Sequence, residues 1–349
     1  MKTDQFVQQL TLTEPLRISR STTAAREAVR LTVEHEGQHG HGEAVTSVYY
    51  GLDRRTLTRA LDTESRWLAR FAEPESALAA VRDGERRETA PAVLAAVESA
   101  LLDLVGRRAG LPVHAMLGAA APPSAATART IGITTPGRAE AQAARLAGDG
   151  FSVLKIKAGA PDPAEDLERV RAVRAAAPGA RLLLDPNGAW TARTAERLLP
   201  LFAALGVEAV EQPLEPGDPE ALARLARRSP LPVIADEDAA GAEDARRLAG
   251  RVQGINVKLA KCGGVSAALR IAELIADTGT DLMLGCLTAS SLGIAPAVHL
   301  ADRAHWVDLD GHLLLADDPW SGIGGTDGTV RANRSPGLGV RLRDREAGT

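Results

Sequence analysis

Phe151-Ser-Val-Leu-Lys-Ile-Lys157 decides how this chain is read. Its apolar residues suit a strand covered on both faces, yet it carries two lysines two residues apart. Side chains alternate along a strand, so Lys155 and Lys157 share a face. Two ammonium groups on a covered face repel each other and lose hydration unless anions stand opposite. Alone, the stretch also reads as a strand end whose lysines reach solvent. Its surroundings decide between the two.

Around it, short apolar runs alternate with Ala/Leu/Arg-rich segments of helical period. Strands are expected at 130–133, 153–157, 182–184, 209–210, 233–235, 255–257, 282–284 and 306–309. Eight strands with seven helical crossovers predict a parallel sheet closed into a barrel. Acids then recur at one structural position. The third strand ends in Asp185-Pro-Asn187-Gly, the fourth in Glu211-Gln-Pro213 and the fifth in Asp236-Glu237, spaced 26 and then 25 residues apart. That spacing fits one βα unit, and the C-terminal rim of a barrel is where active sites lie. Each acid alone could cap the next helix. Three converging carboxylates repel strongly, and a hard divalent cation such as Mg²⁺ resolves this with oxygen ligands. The sixth strand brings Asn256-Val-Lys258. Strands two and six are opposite in barrel order, so Lys157 and Lys258 are expected to face each other across the acids. Lys261 is expected in the following loop, exposed to solvent. On the eighth strand Asp308 and Asp310 share a face. A pairing or capping role is open to them. Cys286, after the seventh strand, reads as a small core or pocket-lining residue, since no histidine partner is evident.

Residues 1–50 read as a β-hairpin region with a glycine-rich turn from Gly37 to Gly42. Arg17, Arg20 and Arg26 fall in a Ser/Thr-rich segment expected as a loop. His39-x-His41 lacks the further ligands that a metal site needs. Residues 54–117 read as helical, most clearly from Pro91 onward, and Ala119 to Ala126 as a linker. The expected division is 1–118, 119–311 and a glycine-rich segment 312–349 that returns to the first region.

The 349 residues include 45% apolar and 25% charged, with a formal net charge of −4, which is ordinary globular composition. The charge balance argues against nucleic acid or an anionic membrane as partner, and the scarcity of aromatics against base stacking. Two cysteines imply neither a disulfide framework nor a zinc site. The polar start and the absence of a long apolar run predict a cytoplasmic enzyme acting on a small molecule, with homo-oligomerisation left open.

Taken together, Lys155-Ile-Lys157, Asp185-x-Asn187-Gly, Glu211-Gln-Pro213, Ala235-Asp236-Glu237 and Asn256-Val-Lys258 resemble the motifs of the enolase superfamily, muconate-cycloisomerase-like group. The helix Glu98-Ser-Ala-Leu-Leu-Asp103 resembles that group's capping-domain helix. Within the group the chain is most similar to dipeptide epimerases of the L-Ala-D/L-Glu type, on Thr130-Ile-Gly-Ile, Lys258-Leu-Ala-Lys-Cys-Gly-Gly and Asp308-x-Asp310. The resemblance implies a modified (β/α)7β TIM-like barrel with an α+β cap, one Mg²⁺ on Asp185, Glu211 and Asp236, and catalytic Lys155, Lys157 and Lys258. It also implies that Asp308 and Asp310 hold a substrate ammonium, with substrate contacts at Thr130, Lys155, Cys286 and Thr288. Arg20 is its candidate for holding an acidic side chain. Ala289 stands where the family usually has glutamate.

The implied chemistry is inversion at a carbon next to a carboxylate. Lys155 stabilises an enediolate while Lys157 and Lys258 address opposite faces. A lysine base beside Mg²⁺ is the general pattern of sites in this superfamily. Desolvation and the mutual repulsion of three lysines in one closed site are expected to lower the pKa of the lysine base from about 10.4. Asp308 and Asp310 need a cation, and a dipeptide's amino terminus supplies one. A cycloisomerase, an o-succinylbenzoate synthase or an N-acylamino acid racemase would use the same lysines and metal without an ammonium site. A barrel with no activity is the remaining alternative.

Overall fold

The computed structural model describes residues 1–86 and 88–343; the last residues of the expected returning segment, 344–349, lie outside the described residues. An antiparallel sheet comes first, with β1 (Lys2–Ile18), β2 (Ser21–His35) and β3 (Gln38–Val45) in that order. Helices α1 (Arg54–Leu68), α2 (Pro74–Asp83), α3 (Pro91–Ala109) and the short α4 (Val113–Met116) follow. Three sheet strands therefore replace the expected hairpin region. Arg17 and Arg26 lie within β1 and β2, and only Arg20 is in the turn between them.

The expected glycine-rich turn is mostly strand. The turn is confined to Glu36 and Gly37, and Gly40 and Gly42 lie inside β3. Their role is close approach to α3. A Cβ on Gly40 would stand 2.2 Å from the Ala100 carbonyl oxygen, and one on Gly42 2.0 Å from that of Ala96. Glycine composition signalled a turn, whereas packing against a helix was the cause.

After β4 (Ser124–Ala126), the barrel runs β5 (Ala128–Ile131), β6 (Val153–Lys157), β7 (Arg181–Asp185), β8 (Val207–Glu211), β9 (Val233–Ala235), β10 (Gly254–Lys258), β11 (Asp281–Gly285) and β12 (Trp306–Asp308). Neighbours pair in parallel in chain order, giving a nearly closed eight-stranded barrel. Helices α5 (Pro136–Gly148), α6 (Pro163–Ala176), α7 (Ala192–Ala204), α8 (Pro219–Ala226), α9 (Ala242–Leu248), α10 (Leu259–Cys262), α11 (Val265–Ile275) and α12 (Ser291–Val298) fill the crossovers. Several start on a side-chain cap, such as Thr135, Thr191 and Asp218. The first barrel strand begins two residues earlier than expected. The chain then supplies β13 (Trp320–Ser321), β14 (Thr329–Arg331) and β15 (Arg341–Leu342). β14 pairs with β4, so part of the expected linker is a strand. Val113 N–H donates to the Gly337 carbonyl and Leu338 N–H to Asp103, which ties this segment to the cap helices. Among the described residues, no helix is long and apolar enough to cross a membrane.

Two buried cap glutamates fix the cap to the barrel. Glu98 on α3 accepts from the Ser266 N–H and hydroxyl at the start of α11. Glu43 on β3 accepts from the Ser290 N–H at 2.9 Å and its hydroxyl at 2.6 Å, at the start of α12. Helix N-termini favour negative charge, so each carboxylate meets free N–H groups and a positive dipole end. Gly264 permits the first contact: a Cβ there would sit 2.1 Å from a Glu98 carboxylate oxygen.

Burial pushes the Glu43 carboxyl from 4.5 up to about 7, against the pull of its Ser290 bonds. A raised carboxyl pKa means the folded protein keeps a proton that the unfolded chain releases. Its contribution to stability is complete below about 4.5 and is lost as pH rises through about 7. Glu43→Gln, which cannot ionise, should therefore gain in melting temperature relative to wild type on going from about pH 5 to about pH 8. Thermal unfolding at both pH values tests this, and an unchanged difference would contradict it.

Candidate active site

One residue from each of seven barrel strands forms an apolar floor: Ala128, Val153, Leu183, Ala209, Ile234, Met283 and Trp306. Strand period two places the next layer two residues further along each strand. That layer is Thr130, Lys155, Asp185, Glu211, Asp236, Gly285 and Asp308. The functional candidates thus form a ring directly above the floor, at the C-terminal mouth.

Inside the ring each ammonium stands on a carboxylate. Lys155 Nζ is 2.8 Å from Asp308 Oδ2, 3.1 Å from Asp185 Oδ2 and 2.5 Å from Glu211 Oε2. Lys157 Nζ lies 2.5 Å from Asp185 Oδ2, and Lys258 Nζ 2.6 Å from Asp236 Oδ2. Burial alone would raise the Asp185 carboxyl, but Lys157 and Lys155 overcome it and bring it down to about 2. Burial and the neighbouring Asp185 push Glu211 up to about 7 despite Lys155. The fall in pKa expected of a lysine base is not seen for Lys258, and Lys155 is raised as well. Burial pulls both down, but Asp308, Glu211 and Asp185 hold Lys155 well above its usual value, and Asp236 and Glu211 raise Lys258. The acids interleaved among the cations outweigh both the burial and the crowding.

Lys261 corrects a second expectation. It is buried, not solvated, and its Nζ lies 2.6 Å from Asp236 Oδ1, 2.6 Å from the Asp236 carbonyl and 2.9 Å from the Asn256 carbonyl. A lysine one turn past a strand end looks like a surface residue in sequence; only the fold of α10 turns it inward. Asn256 also acts, donating from Nδ2 to Glu211 Oε1 at 2.7 Å. Its period-two spacing from Lys258 was the available signal. Gln212 uses its amide oxygen to receive the Asp236 and Asp238 N–H groups, from a backbone with φ of 34°. Such strained backbone is typical of functional loops.

Asp308 and Asp310 are both buried, but neither lacks a partner. Asp308 holds Lys155, while Asp310 Oδ2 accepts from the Thr130 N–H at 2.7 Å and pairs with Arg129 at 3.2 Å. A ligand is therefore not the only cation left for this pair: Arg129, one residue before Thr130, already serves Asp310. Asp308 Oδ1 is still buried without a partner. Cys286 and Ala289 line a cavity of about 40 Å³ with Lys258 and Glu43. Thr288 is buried beside Ala289. Arg20 reaches from the β1–β2 turn to the Asn187 carbonyl at 2.9 Å and to Glu237 Oε1 at 2.7 Å. His39 and His41 stack at 6.5 Å away from the ring, and among the described residues they join no metal-binding group.

Asp185, Glu211 and Asp236 are buried hard donors on adjacent strands. Glu211 Oε2, off-line from Lys155, makes no hydrogen bond. This donor set fits a hard divalent cation better than a thiophilic one. Among the described residues, no three His, Cys, Asp or Glu side chains are gathered closely enough to hold an ion as they stand, and the lysine ammoniums hold the carboxylate oxygens instead.

Residues 2–118 match the mandelate racemase/muconate lactonizing enzyme N-terminal domain, and residues 138–347 match the enolase C-terminal domain-like family. The chain is 31% identical to an L-Ala-D/L-Glu epimerase of Bacteroides thetaiotaomicron, over 97% of this chain and 88% of the relative. It is 32% identical to a hydrophobic dipeptide epimerase of Roseobacter litoralis, over 97% and 98%. Its fold matches a dipeptide epimerase of Enterococcus faecalis complexed with Mg and L-Leu-L-Tyr, with a TM-score of 0.90, 28% identity and coverage of 97% and 98%.

Lys261→Met tests the role of the buried ammonium in holding Asp236. Removing one partner of a buried pair leaves Asp236 Oδ1 and two carbonyls short of donors. The expected loss is about 3–5 kcal/mol of folding stability, read from urea unfolding. A loss within about 0.5 kcal/mol, as at ordinary surface sites, would show that Lys261 holds nothing in place.

Proposed function

Because the chain belongs to the enolase superfamily, we propose that it is a Mg²⁺-dependent dipeptide epimerase, inverting the α-carbon of a dipeptide's C-terminal residue. The observation that carries this reading is the placement of Lys157 on β6 and Lys258 on β10, four strands apart in an eight-stranded barrel, with the acids on the strands between. The relatives named above support the substrate class.

Asp185, Glu211 and Asp236 would hold the Mg²⁺. When bound, the cation neutralises charge on the substrate carboxylate as the neighbouring C–H bond breaks. Lys155, at the centre of the ring, donates N–H to the negative charge that develops there. With Asp185 and Asp236 engaged elsewhere, Lys157 and Lys258 would be released from the carboxylates they rest on. One lysine then accepts the α-proton while the C–H electron pair moves into the carboxylate. The other, protonated, gives a proton to the opposite face, and the new C–H bond has inverted configuration. The lysines trade roles for the reverse reaction.

Asp308 and Asp310 receive the substrate's ammonium in this reading, and the unpartnered Asp308 Oδ1 supports a donor arriving there. Thr130, Cys286 and Thr288 would supply further substrate contacts in this reading. We divide the chain into a cap at 1–118, a barrel at 119–311 and a returning segment at 312–349, and place the activity in the cytoplasm, in keeping with two free cysteines.

Lys157→Ala and Lys258→Ala should each lose epimerisation by at least about 100-fold. Each should still exchange solvent deuterium into one substrate stereoisomer only, as seen by NMR in D₂O with Mg²⁺. Full epimerisation by either variant would exclude the two-base reaction. Blocking the substrate amine tests the acid pair. N-acetylation of an accepted dipeptide should lower kcat/KM about tenfold or more, and Asp310→Asn should narrow that gap. Equal efficiency on both forms in the wild type would favour an N-acylamino acid as substrate.

A further inference from the structure

Helix α12 is gripped by the cap at both ends. Glu43 holds its start, and His299 stands directly after its last residue. The His299 ring is buried and joins three parts of the chain. Its Nδ1 accepts from the His114 N–H of α4 at 3.1 Å, and its Nε2 lies 3.2 Å from the Leu338 carbonyl of the returning segment. These partners assign its state. An N–H needs a bare ring nitrogen to accept it, and a carbonyl needs a ring N–H, so His299 is neutral with its proton on Nε2.

The segment that His299 holds is clamped on every backbone polar group. Leu338 N–H donates to Asp103 at 2.8 Å. Gly337 N–H donates to the Leu111 carbonyl at 3.0 Å, and the Gly337 carbonyl accepts from Val113 N–H at 2.9 Å. His299 completes the set, so Gly337 and Leu338 are fastened to α3, α4 and α12 together.

A second proton on His299 has no acceptor. It would sit on Nδ1 and face the His114 N–H, donor against donor, away from water. The His114 ring stacks on His299 with centroids 5.5 Å apart, and its own Nδ1 is buried without a partner. Around the pair, Asp302 and Arg334 act on His114 in opposite senses, and Arg107 pairs with Asp103. Among the described residues, the Leu338 carbonyl alone favours a proton on His299. Burial and His114 oppose it and bring the ring from 6.5 down to about 4.

We propose that His299 is an acid-released latch: its neutral ring holds α4 and the 337–338 segment to the end of α12, and protonation lets them part. A histidine of the unfolded or opened chain takes up a proton below about 6.5, and the closed latch refuses it until about 4. The contribution of the latch is therefore complete above about 6.5 and is lost as pH falls toward about 4. That sign is opposite to the Glu43 contact at the other end of the same helix. The latch is independent of the reaction catalysed.

The test is hydrogen–deuterium exchange of the Val113, His114, Gly337 and Leu338 amides at about pH 7.5 and about pH 5.5, corrected for intrinsic rates. Opening frees His299 to bind a proton, so protection of these amides should fall about tenfold between the two pH values. His299→Gln, which has no titrating ring, should abolish that fall. The wild-type ring itself, followed by NMR of its carbon-bound protons, should stay neutral at about pH 5.5. This last measurement and the wild-type exchange need no variant, and they decide the matter if His299→Gln does not fold. Protection unmoved by pH, an equal fall in His299→Gln, or a His299 ring that titrates near the ordinary value of about 6.5 would overturn the proposal.

Discussion

Everything at the barrel mouth follows from one constraint: charges taken out of water must find opposite charges. Asp185, Glu211 and Asp236 are almost completely buried, and so is Lys155. Each would be very costly alone. Interleaved, they neutralise each other, and every ammonium of the ring sits within hydrogen-bonding reach of a carboxylate. The same pairing explains why Lys155 and Lys258 are held above the usual lysine range although they crowd together. Lys157 rests on Asp185 and Lys258 on Asp236, so each outer ammonium has its own acid.

The same principle fixes the cap. Glu43 and Glu98 are acids of the first region, yet their partners are the starts of the barrel helices α12 and α11, which follow β11 and β10 in the chain. Asp318 grips the adjacent Ser291 in the same manner, with its oxygens 3.2 and 3.1 Å from the N–H. Arg20 supplies the opposite contact, a cap cation on barrel acceptors. The cap is thus pinned on both sides of the mouth by polar contacts whose geometry is demanding. Apolar packing alone would leave it freer to slide, since hydrophobic contacts are non-directional.

Backbone detail serves the same end. Gln212 adopts a positive φ so that its amide can hold the Asp236 N–H, and Asn187 does likewise while its own N–H donates to Asp185 Oδ1 at 2.9 Å. The strand-end motifs therefore supply more than carboxylates. They supply the residues that orient those carboxylates, and these sit one or two positions away in sequence. These neighbours fix the direction in which each carboxylate meets its lysine.

By itself the sequence determined the barrel and the ring. Strand periodicity is a local property, so the positions of Lys155, Lys157, Asp185, Glu211, Asp236, Lys258 and Asp308 on one inner face were legible from spacing alone. The alternation of strand and helix then ordered them around the mouth. The tertiary structure decided what long-range contact decides. Gly40 and Gly42 carry a turn composition but lie in a strand, because α3 packs against them. Lys261 has the spacing of a loop residue, but α10 turns its ammonium inward onto Asp236. Arg129 precedes Thr130 with no signal that it would reach Asp310. Glu237 reads as a neighbour of a metal ligand, and only the approach of the cap turn makes it the partner of Arg20. In each case the partner lies far away in the chain. A pattern read along one segment records which face a side chain takes, and the charge it meets there is set by another segment altogether.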